Sequence, residues 1–254
     1  MVDLGGKTIL LTGASSGIGA ATAGVLGEAG ASLIAHYAGD PEGVQQATAA
    51  IPPDRKFVLH ADFAELGAGR KLWAEALAWR GRIDVLVNNA AIMPETPIDA
   101  DDADWDAAWA KILQVNVVEP ASLMREAVRH YRAAGGGVLV TMSSWSAQQG
   151  SAIPQLTAYA STKAAVKAMT QTLARAHAKE GVLAYVIAPG IVNTRMSRIS
   201  ATTRGGEDAV RAILPLGEMV PATEVADLVA LVSSGQYRHL TGATLDINGA
   251  AYIR

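Results

Sequence analysis

Tyr159 and Lys163 stand four residues apart in Tyr-Ala-Ser-Thr-Lys, a spacing that sets a phenol and an ammonium on one face of a helix. A free phenol ionises at a pH of about 10, and a cation beside it favours the phenolate, so the pair suits proton transfer at an oxygen. Spacing alone fits an ordinary surface pair as well; the company the pair keeps argues for chemistry. Ser143 and Ser144 follow the apolar run 137–142, where a hydroxyl can hold a substrate oxygen beside the phenol. Asn116 follows an apolar helical run and Asn88-Asn89-Ala90 closes another short apolar one, although each alone reads as a cap or turn residue. Near the start, Thr12-Gly13-Ala14-Ser15-Ser16-Gly17-Ile18-Gly19 leaves a strand-like run and opens into a helical pattern. Its glycines let the backbone approach a pyrophosphate, whose charge meets free N–H groups at the helix N-terminus. The spacing is G-x-x-x-G-x-G rather than G-x-G-x-x-G.

The elements that must position these residues follow from hydrophobic periodicity. Apolar runs at 8–11, 32–36, 57–60, 85–87, 137–142, 184–187 and 244–246 read as strands covered on both faces. Helical spacing occupies 19–29, 42–50, 70–79, 105–133, 158–179 and 222–233. Strand and helix in alternation predict a single α/β domain over 1–254, a doubly wound parallel sheet of about seven strands with helices on both faces. A ligand then sits beyond the carboxyl ends of the strands, where the strand order reverses.

Composition narrows the functions. The 254 residues carry 21 Lys and Arg against 24 Asp and Glu, a net charge of −3, which weighs against a nucleic-acid binder. There is no cysteine, which excludes disulfides and thiolate metal sites, and we expect no metal. Residues 8–27 and 133–162 lack charge but are too rich in Gly, Ser and Thr to span a bilayer, so no membrane association is expected. Asp3 and Lys7 precede the first apolar run, an order unlike a secretory signal, and the expected location is cytoplasmic.

Taken together, Thr12-Gly13-x-x-x-Gly17-x-Gly19, Asn88-Asn89-Ala90, Asn116, Ser144, Tyr159-x-x-x-Lys163, Pro189-Gly190 and Thr194 resemble the short-chain dehydrogenase/reductase family over nearly the whole chain. The resemblance implies a Rossmann-like fold and hydride transfer between nicotinamide and a carbon bearing oxygen. Tyr159 would be the acid–base group, Ser144 would orient the carbonyl or alcohol, and Lys163 would lower the phenol pKa and hold the nicotinamide ribose. Asn116 would position a water linking Lys163 to solvent. Gly13, Ser15, Ser16, Gly17, Ile18 and Gly19 would cradle the dinucleotide, with His36 and Tyr37 at the ribose and Asp62 and Phe63 at the adenine. Asn89 and Ala90 would line the cleft, and Pro189, Gly190, Val192 and Thr194 would shape the nicotinamide site.

Four positions depart from the family pattern. Ala91 replaces a common glycine, Tyr185 replaces a common asparagine, and Ser144 lies 15 residues before Tyr159, about two more than the family interval. That places an insertion in 149–156, expected to lean toward the substrate. At the end of the second strand His36 stands where NAD-preferring relatives have an acid, so NADP is favoured over NAD, although no Arg or Lys stands at 15, 16 or 37 to clamp a phosphate. Residues 195–215 lie where the family carries a mobile lid.

Met93, Trp145, Ile153, Leu156, Met196 and Ile199 suggest a mostly apolar pocket, with Ser144 at its reacting end. The favoured reading is an NADPH-dependent carbonyl reductase of a small neutral substrate, with NAD-dependent alcohol or sugar dehydrogenase as the alternative. A 3-oxoacyl-thioester reductase is a further alternative, opposed by Glu180, which stands where such enzymes have an arginine for an acidic carrier. A dinucleotide sensor without turnover is the non-enzymatic alternative, although such proteins lose the tyrosine or lysine. By resemblance the chain forms a homotetramer, with the C-terminal residues 252–254 reaching a neighbouring subunit.

Overall fold

A computed structural model describes residues 2–202 and 205–253. Seven strands form one parallel sheet in the order β3-β2-β1-β4-β5-β6-β7. They are β1 (Thr8–Leu11), β2 (Ser32–Tyr37), β3 (Lys56–His60), β4 (Val85–Asn88), β5 (Gly137–Met142), β6 (Val182–Pro189) and β7 (Thr244–Ile247). The strands match the sequence expectation, with β6 longer at both ends. Their side chains alternate between two cores. Ile9, Leu11, Val85, Val87, Val138 and Val140 face one side of the sheet, and Leu10, Leu86 and Leu139 face the other.

The first core is closed by α1 (Gly17–Glu28), α2 (Pro41–Ala47) and a late helix, Ala222–Ser233, that packs on α1. The second is closed by α3 (Ala68–Arg80), by α5 (Glu119–Ala134), and later by the 21-residue helix Thr157–His177, against which α4 (Asp102–Leu113) packs. Tyr185 occupies its unusual position in β6 because its ring fills the first core while its hydroxyl donates to the Tyr237 carbonyl at 3.1 Å.

Where the sequence predicts one helix over 105–133, the structure has two, joined by a π-helical turn at Gln114–Val118. Pro120, at the start of α5, is the cause: it has no N–H for the carbonyl of Asn116, its partner in an α-helix. The remaining helices, in chain order, are α6 (Ser146–Gln149), α7 (Thr157–His177), α8 (Arg195–Thr202), α9 (Glu207–Ala212) and α10 (Ala222–Ser233). Helices α8 and α9 fall in the segment read as a lid and share a small separate core of Ala201, Val210 and Met219. Among the described residues no helix is long and apolar enough to cross a membrane.

Candidate active site

Strands β1 and β4 are neighbours whose following helices cover opposite faces, which opens a crevice beyond their carboxyl ends. Residues 12–16 carry the chain across it into α1. Thr12 Oγ1 accepts from the amides of Asn89 and Ala90, both at 3.0 Å, and Asn89 Nδ2 donates to the carbonyls of Thr12 and Gly13 at 2.9 and 3.1 Å. Asn89 thus braces the glycine loop from β4. The packing leaves no room for side chains: a Cβ at Gly19 would lie 1.9 Å from the Gly13 carbonyl oxygen. Gly13 and Gly17 also have φ of +69° and +55°. No side chain caps α1 and no acid stands in its first turn, so its free N–H groups remain available to an anion. These residues floor a cleft of about 620 Å³.

At one end of that cleft lie Ser144, Tyr159 and Lys163. Helix α7 brings Tyr159 and Lys163 to the ends of β5 and β6. The Lys163 ammonium, only 5 % exposed, lies 5.7 Å from the centre of the Tyr159 ring and donates to the Met142 carbonyl at 2.9 Å. Burial lowers its pKa to about 8, so it still carries its charge at neutral pH. The same burial pushes the Tyr159 phenol up to about 12, against a smaller lowering by its hydrogen bond with Ser144. In the chain by itself the phenol is therefore neutral at pH 7.

The two serines have separate tasks. Ser143 Oγ donates to the Lys163 carbonyl at 2.9 Å and pins α7 to β5. Ser144 Oγ accepts from the N–H and hydroxyl of Ser146, at 3.2 and 2.9 Å, so its own proton is directed to Tyr159 or to a ligand oxygen. Asn116 Nδ2 spends both its hydrogens inside the protein, on the Ile92 carbonyl at 2.9 Å and Thr162 Oγ1 at 3.1 Å, while its Oδ1 accepts from the Ile92 amide. A water at this residue is therefore better served by the main-chain carbonyl that Pro120 leaves without its helical donor.

The other end of the cleft is lined by His36, Ala38, Gly39, Asp40, Asp62, Phe63, Ala64, Lys111 and Val115. His36 does not reach outward for a ribose, as its strand-end position suggested. Its Nδ1 accepts from the Gly13 amide at 3.1 Å, its Nε2 donates to the Ala61 carbonyl at 2.8 Å, and its ring stacks on Phe63 at 4.6 Å. The imidazole is 1 % exposed, and burial lowers its pKa to about 4, which keeps it neutral. His36 is a tie between the glycine loop and the wall beyond β3. Asp40 lies next to this loop: a Cβ on Gly43 would meet both the Asp40 carboxylate at 2.3 Å and the Ser15 carbonyl oxygen at 2.4 Å.

The remaining expected residues divide. Ser15, Ser16, Ile18, Ala90, Pro189, Gly190, Val192, Thr194 and Met196 line the cleft as expected. Thr194 Oγ1 also accepts from the Ser197 amide at 3.3 Å, capping α8. Met93, Trp145, Ile153 and Tyr37 are not in the cleft wall. Tyr37 packs edge-on to His60, and the inserted residues 149–156 do not line the cleft; Thr96 holds the Gln155 carbonyl by its amide and hydroxyl, at 2.7 and 3.0 Å. Sequence reasoning missed Lys111, Asp40 and Arg195, all in the wall. Glu180 pairs with Arg132 and with His177, so it does not present a bare acid to a carrier, and the charge argument drawn from it falls away.

This architecture occurs in other proteins. A family model described as enoyl-(acyl carrier protein) reductase matches residues 13–250. The chain is 30 % identical to 3beta-hydroxysteroid dehydrogenase 1 of Eggerthella lenta, over 97 % of this chain and 94 % of that protein. It is 32 % identical to cis-4-hydroxycyclohexanecarboxylate dehydrogenase of Sinomonas cyclohexanicum, over 96 % and 95 %. Among solved structures it superposes on a short-chain dehydrogenase/reductase of the glucose/ribitol dehydrogenase type from Brucella melitensis with a TM-score of 0.86 and 28 % identity, covering 100 % of this chain and 99 % of that one. The chain belongs to the short-chain dehydrogenase/reductase family of oxidoreductases.

Proposed function

We propose that this chain interconverts a ketone and a secondary alcohol on a small, free substrate with a nicotinamide dinucleotide, and that ketone reduction is the direction its resting site favours. The observation that carries this reading is the placement of Ser144, Tyr159 and Lys163 at one end of a cleft floored by an uncapped helix start and close-packed glycines. The fit is specific: a pyrophosphate needs backbone approach and free N–H donors, and this floor offers both. Gly13, Ser15, Ser16, Gly17, Ile18 and Gly19 would hold the phosphates. Lys163, with one of its three N–H donors spent on Met142, would bind the ribose at the reacting end. When bound, the dinucleotide supplies or accepts the hydride.

The chain's own groups handle the oxygen. Ser144 donates a hydrogen bond to the substrate oxygen and keeps its proton, and Tyr159, held as a neutral phenol, delivers the one proton that completes an alcohol. Lys163 and a water at the Asn116 carbonyl return that proton from solvent. Met196 and Val192 make the reacting end apolar, and the two relatives named above take their names from secondary alcohols on carbon rings. An alicyclic ketone or alcohol is therefore the substrate class to try first, with a 3-oxoacyl thioester as its rival. The lid role of 195–215, a homotetrameric assembly and a cytoplasmic location belong to the same proposal.

For the dinucleotide, two observations oppose. Position 36 bears no acid to exclude a 2′-phosphate, but the Asp40 carboxylate lines that end of the cleft and repels one. Lys111 lines the same end with the opposite charge, so the NADPH preference read from position 36 remains the expectation, with NADH also admitted. Parallel titrations by tryptophan fluorescence measure this; binding of neither would remove the oxidoreductase reading. With an alicyclic ketone panel, Tyr159→Phe is expected to lower kcat by about two decades or more with the dinucleotide Kd nearly unchanged. Turnover within a few-fold of wild type would take Tyr159 out of the reaction.

A further inference from the structure

Glu119 is a carboxylate with no solvent exposure. It opens α5, directly after the π turn that carries Asn116. Its Oε1 accepts from the Gly67 amide at 2.8 Å and from Gln114 Nε2 at 2.9 Å, and its Oε2 accepts from the Gly69 amide at 2.7 Å. The glycines are shaped for it. Gly67 takes φ of +87° to cap α3, and a Cβ on Gly69 would stand 2.9 Å from the Glu119 carbonyl oxygen and 3.0 Å from Oε2. The carboxylate thus occupies the N-terminus of α3, where amides and helix dipole both favour an anion.

What it joins gives it a function. Asp62, Phe63 and Ala64 line the cleft three to five residues before Gly67, and the chain between is closed by turns from Glu65 to Asp62 and from Ala68 to Glu65. Lys111 and Val115 line the cleft within two helical turns before Glu119. These two segments border one slot of the cleft, and Glu119 fixes one to the other. We propose that Glu119 is a positioning residue that sets the width of the slot for the adenine half of the dinucleotide. The assignment rests on the dinucleotide reading above, which puts the nicotinamide at Tyr159 and so the adenine at this end.

The test is Glu119→Gln, which keeps the size of the side chain but turns an NH2 toward an amide N–H. Calorimetry with ADP-ribose and steady-state kinetics with NADH and a ketone substrate are compared with wild type. The expected result is a Kd for ADP-ribose raised roughly tenfold, the worth of one charge-assisted hydrogen bond, with the KM for NADH raised in parallel and kcat at saturation within about twofold. A milder variant, Gln114→Met, removes one of the three bonds and is expected to move Kd in the same direction by about two- to threefold. It decides the matter if Glu119→Gln does not fold. Unchanged ADP-ribose affinity in either folded variant, or kcat and affinity falling together, would overturn the slot role. Wild-type protein binding neither ADP-ribose nor NADH would overturn the dinucleotide reading and this assignment with it.

Discussion

Lys163 holds its charge against the folded structure. At about 8 instead of 10.5, its pKa means that burial penalises the ammonium in the folded chain by about 3 kcal/mol. The sign follows from comparing the two states. Below pH 8 the lysine is charged in both, so the penalty is complete; between 8 and 10.5 the folded chain sheds the proton first and the penalty shrinks to nothing. Replacement by an uncharged side chain of similar length removes it, at the expense of leaving the Met142 carbonyl without its donor. Lys163→Met is therefore expected to be more stable than wild type by about 1–2 kcal/mol at pH 7 in urea denaturation, with the gain fading toward pH 10.5, while turnover is lost. Equal stability at both pH values would show that the ammonium is solvated in the cleft. His36 answers the same desolvation in the opposite way, by staying neutral and spending both ring nitrogens on backbone groups.

Helix α1 shows how an element is written around a ligand. Gly19 and Gly24 both lie within it, and helix propensity disfavours both by about 1 kcal/mol relative to alanine. Their surroundings separate them: a Cβ at Gly19 would collide with the Gly13 carbonyl, whereas Gly24 has open space. Gly24→Ala is expected to raise stability by about 0.5–1 kcal/mol and leave NADH affinity alone. Gly19→Ala is expected to weaken NADH binding by at least about tenfold, because the glycine loop must shift by more than an ångström. Equal affinities in the two variants would show that the loop is not the phosphate cradle. The place of Gly19 in a phosphate loop was legible in the sequence, as were the strands, because short apolar runs between turn residues suit a sheet covered on both faces; the open space at Gly24 was not. The π turn was not, since apolar spacing runs through it unbroken and Pro120 alone marks it. The α8 and α9 helices hid in a polar stretch because their few apolar residues meet only in three dimensions, as Ala201, Val210 and Met219 do. In the site, Tyr159 and Lys163 were legible from their helical spacing together with the family resemblance, and Ser144 from its place after a strand and the same resemblance. Met93, Trp145 and Ile153 were misplaced because an apolar side chain suits a core and a pocket equally, and His36 because strand pleat, not residue type, decides where it points.

Among its described residues the molecule has two large cores and one small one, and the division predicts how it responds to ligand. The two large clusters run through the sheet and bind it to its helices, so they share one cooperative transition. The small one joins α8 and α9, leaving Ile199, Ile213 and Leu216 mostly exposed. Yet Thr194, Arg195, Met196 and Ser197 line the cleft, so this weakly held unit forms part of the ligand's wall. Saturating NADH binds the folded chain alone and at 100 times its Kd adds about 2.7 kcal/mol to global stability, a Tm rise of roughly 5–10 °C. Its local effect is expected to be larger on α8 and α9 than anywhere else outside the glycine loop. Hydrogen exchange with and without NADH measures this peptide by peptide. The expected pattern is strong new protection in residues 12–20 and 195–212, with the amides of β4 and β5 slowed only by the global increment. Protection confined to the glycine loop would mean that 195–215 is a fixed wall, and substrate access would then have to be sought elsewhere along the cleft.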